Sequence, residues 1–303
     1  MTPDLSTELA GIPLRNPVLL ASGTAGYGTE MLPFVQLEQL GGLVAKSLTL
    51  EPRTGNPPPR IAETPAGMLN AISLENVGVD AFLADKLPAL PPHATLIASC
   101  FGTEPGLYAR VCERLDAADG LAGIEINASC PHVKSGGIEF GQDPASLSEL
   151  IRACRPATEL PLLVKLSPNV TSIAEMARVC EGEGADGICL INAVQALMVD
   201  PETRRPVLAN GLGGLSGPAI LPIALRMVYQ AAQAVSLPIC GIGGIRSAAD
   251  AVAFLLCGAT AIQVGTANYA NPSAAVEIRD GLADYCRRHG IAAVSELIGA
   301  LRV

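Results

Sequence analysis

Eight short runs of the chain are apolar almost from end to end. They are PVLLASGT from Pro17, GLVAKSLT from Gly42, ATLIASCFG from Ala94, GIEINASC from Gly123, PLLVKLSP from Pro161, GICLINAV from Gly187, LPICGIGG from Leu237 and AIQVGTAN from Ala261. A strand with one wet face alternates apolar and polar residues, whereas a strand covered on both faces does not. Each run is therefore predicted to be a strand of a parallel sheet buried on both sides. Between the runs, apolar residues recur three or four apart, as in LYARVCERLDAA, ASLSELIRACRPAT, TSIAEMARVCEGEGA, PAILPIALRMVYQAAQAV and SAADAVAFLLCGA. That spacing gathers them on one helical face. Ser172, Ser247 and the Asp143-Pro144 pair stand where helix N-caps belong.

Strand then helix, eight times over, predicts an α/β fold of the (β/α)8 TIM-barrel type. A doubly wound sheet is the structural alternative. The first strand is followed by no clear G-x-G-x-x-G, which favours the barrel. Two intervals, residues 49–78 after the second strand and 195–216 after the sixth, exceed simple loops. Both leave the C-terminal mouth of the barrel, where long loops serve as lids or substrate walls. With no linker, low-complexity tract or internal repeat, residues 1–303 are predicted to form one domain.

Composition narrows the class of partner. The 303 residues are 49 % hydrophobic and 16 % charged, and carry a net charge of −9. The acids are dispersed, which argues against nucleic acid or an anionic membrane as the main partner. The N-terminus lacks a basic segment followed by an apolar one, and no apolar stretch approaches the roughly 18 residues of a membrane span. Nine cysteines are scattered without a C-x-x-C pair, so no metal site or disulfide framework is expected and a cytoplasmic location is. Most of these cysteines read as small buried hydrophobes.

Against this apolar background a few polar residues stand out. Lys46 and Lys165 each close an apolar strand, where an unpaired ammonium is costly to bury. Facing one cavity, the pair would attract an anion or an electron-rich ring. Asn127 and Asn192 occupy equivalent strand ends and Asn70 lies in the long second loop. Their amides offer both donor and acceptor, as recognition of an imide edge requires. The glycine-rich turns after the seventh and eighth strands, Gly241–Ile245 and Val264–Ala267, expose N–H groups in the register of the barrel phosphate site. Cys130, in NASCPHVKSGG, has four readings: zinc ligand, nucleophile paired with His132, general base, or inert filler. A thiol of ordinary pKa near ~8.5 suits removal of a weakly acidic C–H proton.

The segments ASGTAGYG, KSLTLEPRTGNPPPR, ETPAGMLNAI, NASCPHVKSGG, VKLSPNVT, ANGLGGLSGPAI, GIGGI and VGTANY, in that order, closely resemble dihydroorotate dehydrogenase, class 1 subclass B, catalytic subunit. The resemblance runs from about residue 5 to the C-terminus. It implies a TIM barrel with FMN across the strand mouths, oxidising dihydroorotate to orotate in pyrimidine synthesis. It implies flavin contacts from Ser22, Gly23, Lys46, Ser47, Ser99, Asn127, Lys165 and Ile191, and a ribityl-phosphate site from Gly217, Gly243, Gly244, Gly265 and Thr266. Substrate contacts fall on Lys46, Asn70, Ala71, Ile72, Ser73, Leu74, Asn127, Asn192 and Ala193, and Cys130 takes the C5 proton. It further implies a homodimer within a heterotetramer, whose second subunit carries FAD and a [2Fe–2S] cluster and passes electrons to NAD⁺. This chain has neither a dinucleotide fingerprint nor a cluster-ligating cysteine set.

Four positions depart from the family's usual residues. His132 replaces an asparagine, Ala193 a threonine or serine, Ser73 the glycine of NAIGL, and Ser99 an asparagine. SCPH with GQDP also resembles the pyrimidine-reducing domain of dihydropyrimidine dehydrogenase, the rival reading with uracil or thymine as substrate. A flavin-binding subunit that has lost catalysis is the third reading. Retention of Cys130, both lysines and all three asparagines speaks against it.

Overall fold

The computed structural model describes residues 2–128 and 139–302. Cys130 and His132 lie outside the described residues. Eight parallel strands close into a barrel in chain order. They are β1 (Val18–Leu20), β2 (Gly42–Val44), β3 (Leu96–Cys100), β4 (Gly123–Asn127), β5 (Leu162–Lys165), β6 (Gly187–Leu190), β7 (Ile239–Ile242) and β8 (Ala261–Val264). Each falls within one of the apolar runs, and every residue in them is buried. The reason is geometric. Leu19, Val44, Ile97, Leu163, Cys189 and Cys240 fill the barrel, while their neighbours Leu20, Leu43, Ala98, Val164 and Ile188 pack outward under the helices.

Six of the strands lead to helices: α1 (Pro105–Asp116), α2 (Pro144–Cys154), α3 (Ile173–Gly182), α4 (Leu221–Ala232), α5 (Ala248–Leu256) and α6 (Ala274–His289). The first four bury residues at i, i+3, i+4 and i+7, for example Leu147, Leu150, Ile151 and Cys154 on α2. The expected caps are present: Asp143 accepts from the N–H of Ser146, Ser172 from that of Glu175, and Ser247 forms a capping box with Asp250.

The expected eight-fold repetition does not hold in the first two units. Between β1 and β2 there is only a 3₁₀ turn, Leu37–Gln39, and after β2 a short α, π and 3₁₀ succession over residues 79–89. Gly23, Gly26 and Gly28 all adopt positive φ in the first segment, which no helix accommodates. Pro88, Pro91 and Pro92 interrupt the second.

The two long intervals are joined. Ile61–Thr64 and Gly67–Asn70 form a hairpin, to which Gly213–Ser216 and then Val194–Ala196 add as antiparallel strands. The result is a four-stranded sheet beside the barrel mouth. At the opposite end an N-terminal hairpin, Thr7–Leu9 with Ile12–Leu14, closes the floor. Its Leu9, Ile12 and Leu14 join the apolar cluster inside the barrel.

Candidate active site

A cavity of about 640 Å³ opens at the C-terminal ends of the strands. Both predicted lysines reach it. Lys165, the last residue of β5, is 7 % exposed. No described carboxylate lies within salt-bridge distance of it. Lys46 follows β2 and is half-buried, its backbone N–H held by the carbonyl of Gly26 at 2.8 Å. Burial pushes its pKa down. The Glu75 carboxylate opposes that shift, and the Arg60 guanidinium adds to it. Arg60 and Glu75 form an ion pair at 2.6 Å.

The asparagines converge with the lysines. Asn192 donates to Oδ1 of Asn127 at 3.3 Å, and Asn127 donates to Oγ of Ser47 at 3.0 Å. Ser47 and Ser99 share a hydrogen bond of 2.9 Å. Tyr108 on α1 supports the chain from behind, its hydroxyl donating to the carbonyl of Asn127 at 2.9 Å. Asn70, at the end of its lid strand, donates to the carbonyl of Gly214 at 3.4 Å. The result is a row of amides held at fixed angles along one wall, which suits a planar ligand with alternating donors and acceptors.

Across the cavity lie the glycine turns. The N–H groups of Gly243, Gly244, Gly265 and Thr266 donate to no described residue, and all four residues line the cavity. Gly217, Gly243 and Gly244 have φ of +91°, +128° and +76°, and a Cβ on each would meet neighbours at 2.7 to 2.9 Å. Gly265 has room for one. Free N–H groups converging on one side of the cavity, beside turns at Gly217, Gly243 and Gly244 that exclude a side chain, make an anion cradle. The Thr266 hydroxyl is tied to that of Ser216 at 2.8 Å.

Of the remaining predicted residues, Ser22, Gly23, Ile72, Ser73, Leu74, Ile191 and Ala193 line the cavity. Ser99 and Ala71 do not. Ser99 is fully buried and reaches the cavity only through Ser47. Ala71 packs against Leu69 and Leu208, and its N–H donates to the carbonyl of Arg60. Ser73 and Leu74 hold φ of +67° and +57°, so the serine occupies a left-handed position that favours glycine. Many lining residues went unpredicted, among them Ile61 and Glu63 on the lid hairpin, Arg246 after β7 and Tyr269 after β8. The first two alternate in burial with their neighbours, a period-2 signal too short to register in four residues.

Among the described residues, no three metal-ligating side chains come together and no helix is long and apolar enough to cross a membrane.

Comparison with known proteins gives one answer at each level. A family model described as dihydroorotate dehydrogenase matches residues 4–285. The chain is 56 % identical over 302 residues to the protein named dihydroorotate dehydrogenase B (NAD(+)), catalytic subunit, of Trichlorobacter lovleyi, covering 99 % of each. It is 54 % identical to proteins of the same name in Pelobacter propionicus and Geobacter sulfurreducens, again over 99 % of each chain. Among solved structures, dihydroorotate dehydrogenase of Eimeria tenella in complex with ferulenol superposes with a TM-score of 0.81 over 98 % of this chain and 88 % of its own, at 23 % identity. That last likeness speaks to the fold, the others to descent. The chain belongs to the dihydroorotate dehydrogenase family.

Proposed function

We propose that this chain is the FMN-bearing catalytic subunit of an NAD⁺-linked enzyme that oxidises dihydroorotate to orotate for pyrimidine synthesis. The observation that carries the reading is the meeting of Lys46, Lys165 and the Asn192–Asn127–Ser47 chain in one cavity with an anion cradle opposite. An FMN fits these residues. The N–H groups of Gly243, Gly244, Gly265 and Thr266, beside Gly217, would hold its phosphate, and Ser22, Gly23, Ser47, Lys165 and Ile191 would hold its ring; all of them line the cavity. When bound, FMN supplies a two-electron hydride acceptor.

The chain's own residues supply the rest. Lys46 offers a positive charge to the substrate carboxylate. Asn70, Asn127 and Asn192 offer amide donors and acceptors to its imide edge, and Ile72 to Leu74 and Ala193 wall it in. Cys130, which lies outside the described residues, is proposed as the base that takes the C5 proton as hydride leaves C6. A second subunit bearing FAD and an iron–sulfur cluster would carry the electrons on to NAD⁺. The relatives' name, catalytic subunit, supports such a partner.

The test is an anaerobic titration of the purified protein with dihydroorotate and, separately, dihydrouracil, followed by flavin absorbance. Bleaching by dihydroorotate is expected. Bleaching by dihydrouracil alone overturns the substrate, and a colourless protein that takes up no FMN overturns the cofactor. In the same assay Cys130→Ser is expected to slow bleaching at neutral pH by about 10²- to 10⁴-fold, because an alcohol is a poorer base. An unchanged rate removes Cys130 from the reaction.

A further inference from the structure

Beneath the cavity the barrel interior holds an acidic side chain that the proposed reaction does not use. Glu125, at the middle of β4, is fully buried and outside the cavity lining. Its Oε2 accepts a 3.1 Å hydrogen bond from Nε2 of Gln263 on β8. Those two strands face each other across the eight-membered ring, so the pair spans the barrel. Oε1 of Glu125 and Oε1 of Gln263 have no partner among the described residues. A carboxylate with one oxygen open is far costlier to bury than the Leu, Ile and Cys that fill the rest of the barrel.

Lys165 stands on the next strand: β4 pairs with β5 so that Glu125 lies beside Leu163 and Asn127 beside Lys165. Nε2 of Gln263 also lies 3.7 Å from Sγ of Cys189, and Cys189 is register-paired with Lys165. The Cys189 thiol is pushed up by its hydrogen bond with Cys240, by burial and by the charge of Glu125, and is pulled down by Lys165. One thiol thus feels both the carboxylate below and the ammonium at the cavity floor. Lys165 has no described carboxylate at contact distance.

We infer that Glu125 is the counter-charge of Lys165 and, through it, sets the potential of the flavin ring above. This rests on the FMN reading. Glu125 is a positioning residue: it touches neither cofactor nor substrate. The Lys165 ammonium favours the added electron density of a reduced flavin. Glu125 offsets that preference, which keeps electrons free to leave for the external acceptor. In a low-dielectric interior such an offset acts at longer range than in water.

The test is an anaerobic redox titration of the purified flavoprotein against a reference dye. In Glu125→Gln the reduced-to-oxidised ratio at a fixed poise is expected to rise about tenfold, which is about 30 mV for a two-electron couple. Glu125→Asp keeps the charge, so its ratio stays within about twofold of wild type even where its melting temperature falls. Gln263→Leu strips the carboxylate of its donor and shifts the ratio in the same direction as Glu125→Gln. In a Lys165→Gln background with FMN in excess, adding Glu125→Gln is expected to shift the ratio less than it does in wild type, the difference measuring the coupling of the two side chains. Should Glu125→Gln not fold, the Asp and Gln263→Leu variants decide. An unshifted potential in Glu125→Gln, or in Gln263→Leu, overturns the inference. A Glu125→Asp shift as large as that of Glu125→Gln does so too. A wild-type protein that bleaches with dihydroorotate keeps the FMN reading whatever Glu125 does, and one that binds no FMN overturns both.

Discussion

Lys46 shows how the site trades stability for binding. Burial lowers its pKa, so between that depressed value and the ordinary 10.5 the unfolded chain holds a proton that the folded chain has released. Stability therefore rises with pH through that window, and at neutral pH the half-buried ammonium is a net cost. In flavin-free preparations, Lys46→Met is expected to melt higher than wild type at pH 7. The gap should narrow as pH rises through the depressed value, and the charge contribution is gone only above 10.5, where the lysine is neutral in both states. A gap that is constant with pH would assign the gain to packing rather than charge. The same cost made the lysines legible in the sequence: an ammonium closing an apolar strand needs a reason, and the cavity supplies one. Ser99 and Ala71 were harder to place, because a motif gives neighbours along the chain and not the side each neighbour faces. Ser99 points at Ser47, and Ala71 into the lid's own small core. Glu125 passed as one polar letter in GIEIN, since nothing in that run says that its partner is Gln263, 138 residues away.

At the scale of elements, the turn after β7 carries the sharpest constraint. Gly244 holds φ +76°, and a Cβ there would meet the backbone N of Leu221 at 2.8 Å and the carbonyl of Gly217 at 3.0 Å. Gly244→Ala is expected to cost about 1–3 kcal/mol through strain and to weaken binding of the proposed FMN, because the turn must open to relieve it. Gly265→Ala, whose Cβ meets nothing closer than 3.5 Å, should stay within about 0.5 kcal/mol of wild-type stability. Urea unfolding of the two variants without flavin checks the contrast, and equal losses would refute the steric account. Barrel strands and the later helices were legible because each buries a continuous run or a full helical face. The first two units lack such faces. The lid sheet was not legible because its strands are short and its two halves pair across more than a hundred residues, as Asn70 does with Gly214.

For the whole molecule, the closed ring places the chemistry at one end and a plug at the other. Ile12 sits in that plug with Leu9 and Leu14, against the inward side chains of β1, β2, β3 and β5. Gly123 and Gly187, first residues of β4 and β6, make room for it: a Cβ on Gly123 would meet Cδ1 of Ile12 at 2.9 Å, and one on Gly187 the Cβ of Ala10 at 3.3 Å. Truncation leaves a cavity that a ring of hydrogen-bonded strands cannot collapse to fill, so Ile12→Ala is expected to cost about 2–5 kcal/mol. Among the described residues, Ile242 alone belongs both to the cavity lining and to the plug's apolar cluster. Affinity of the folded variant for the proposed FMN should therefore remain within about twofold of wild type, since sites that share few partners add nearly independently. Flavin fluorescence titration well below the melting temperature, beside urea unfolding, separates the two quantities. If affinity fell together with stability, Ile242 would be the route, and the barrel would transmit packing from floor to mouth along β7.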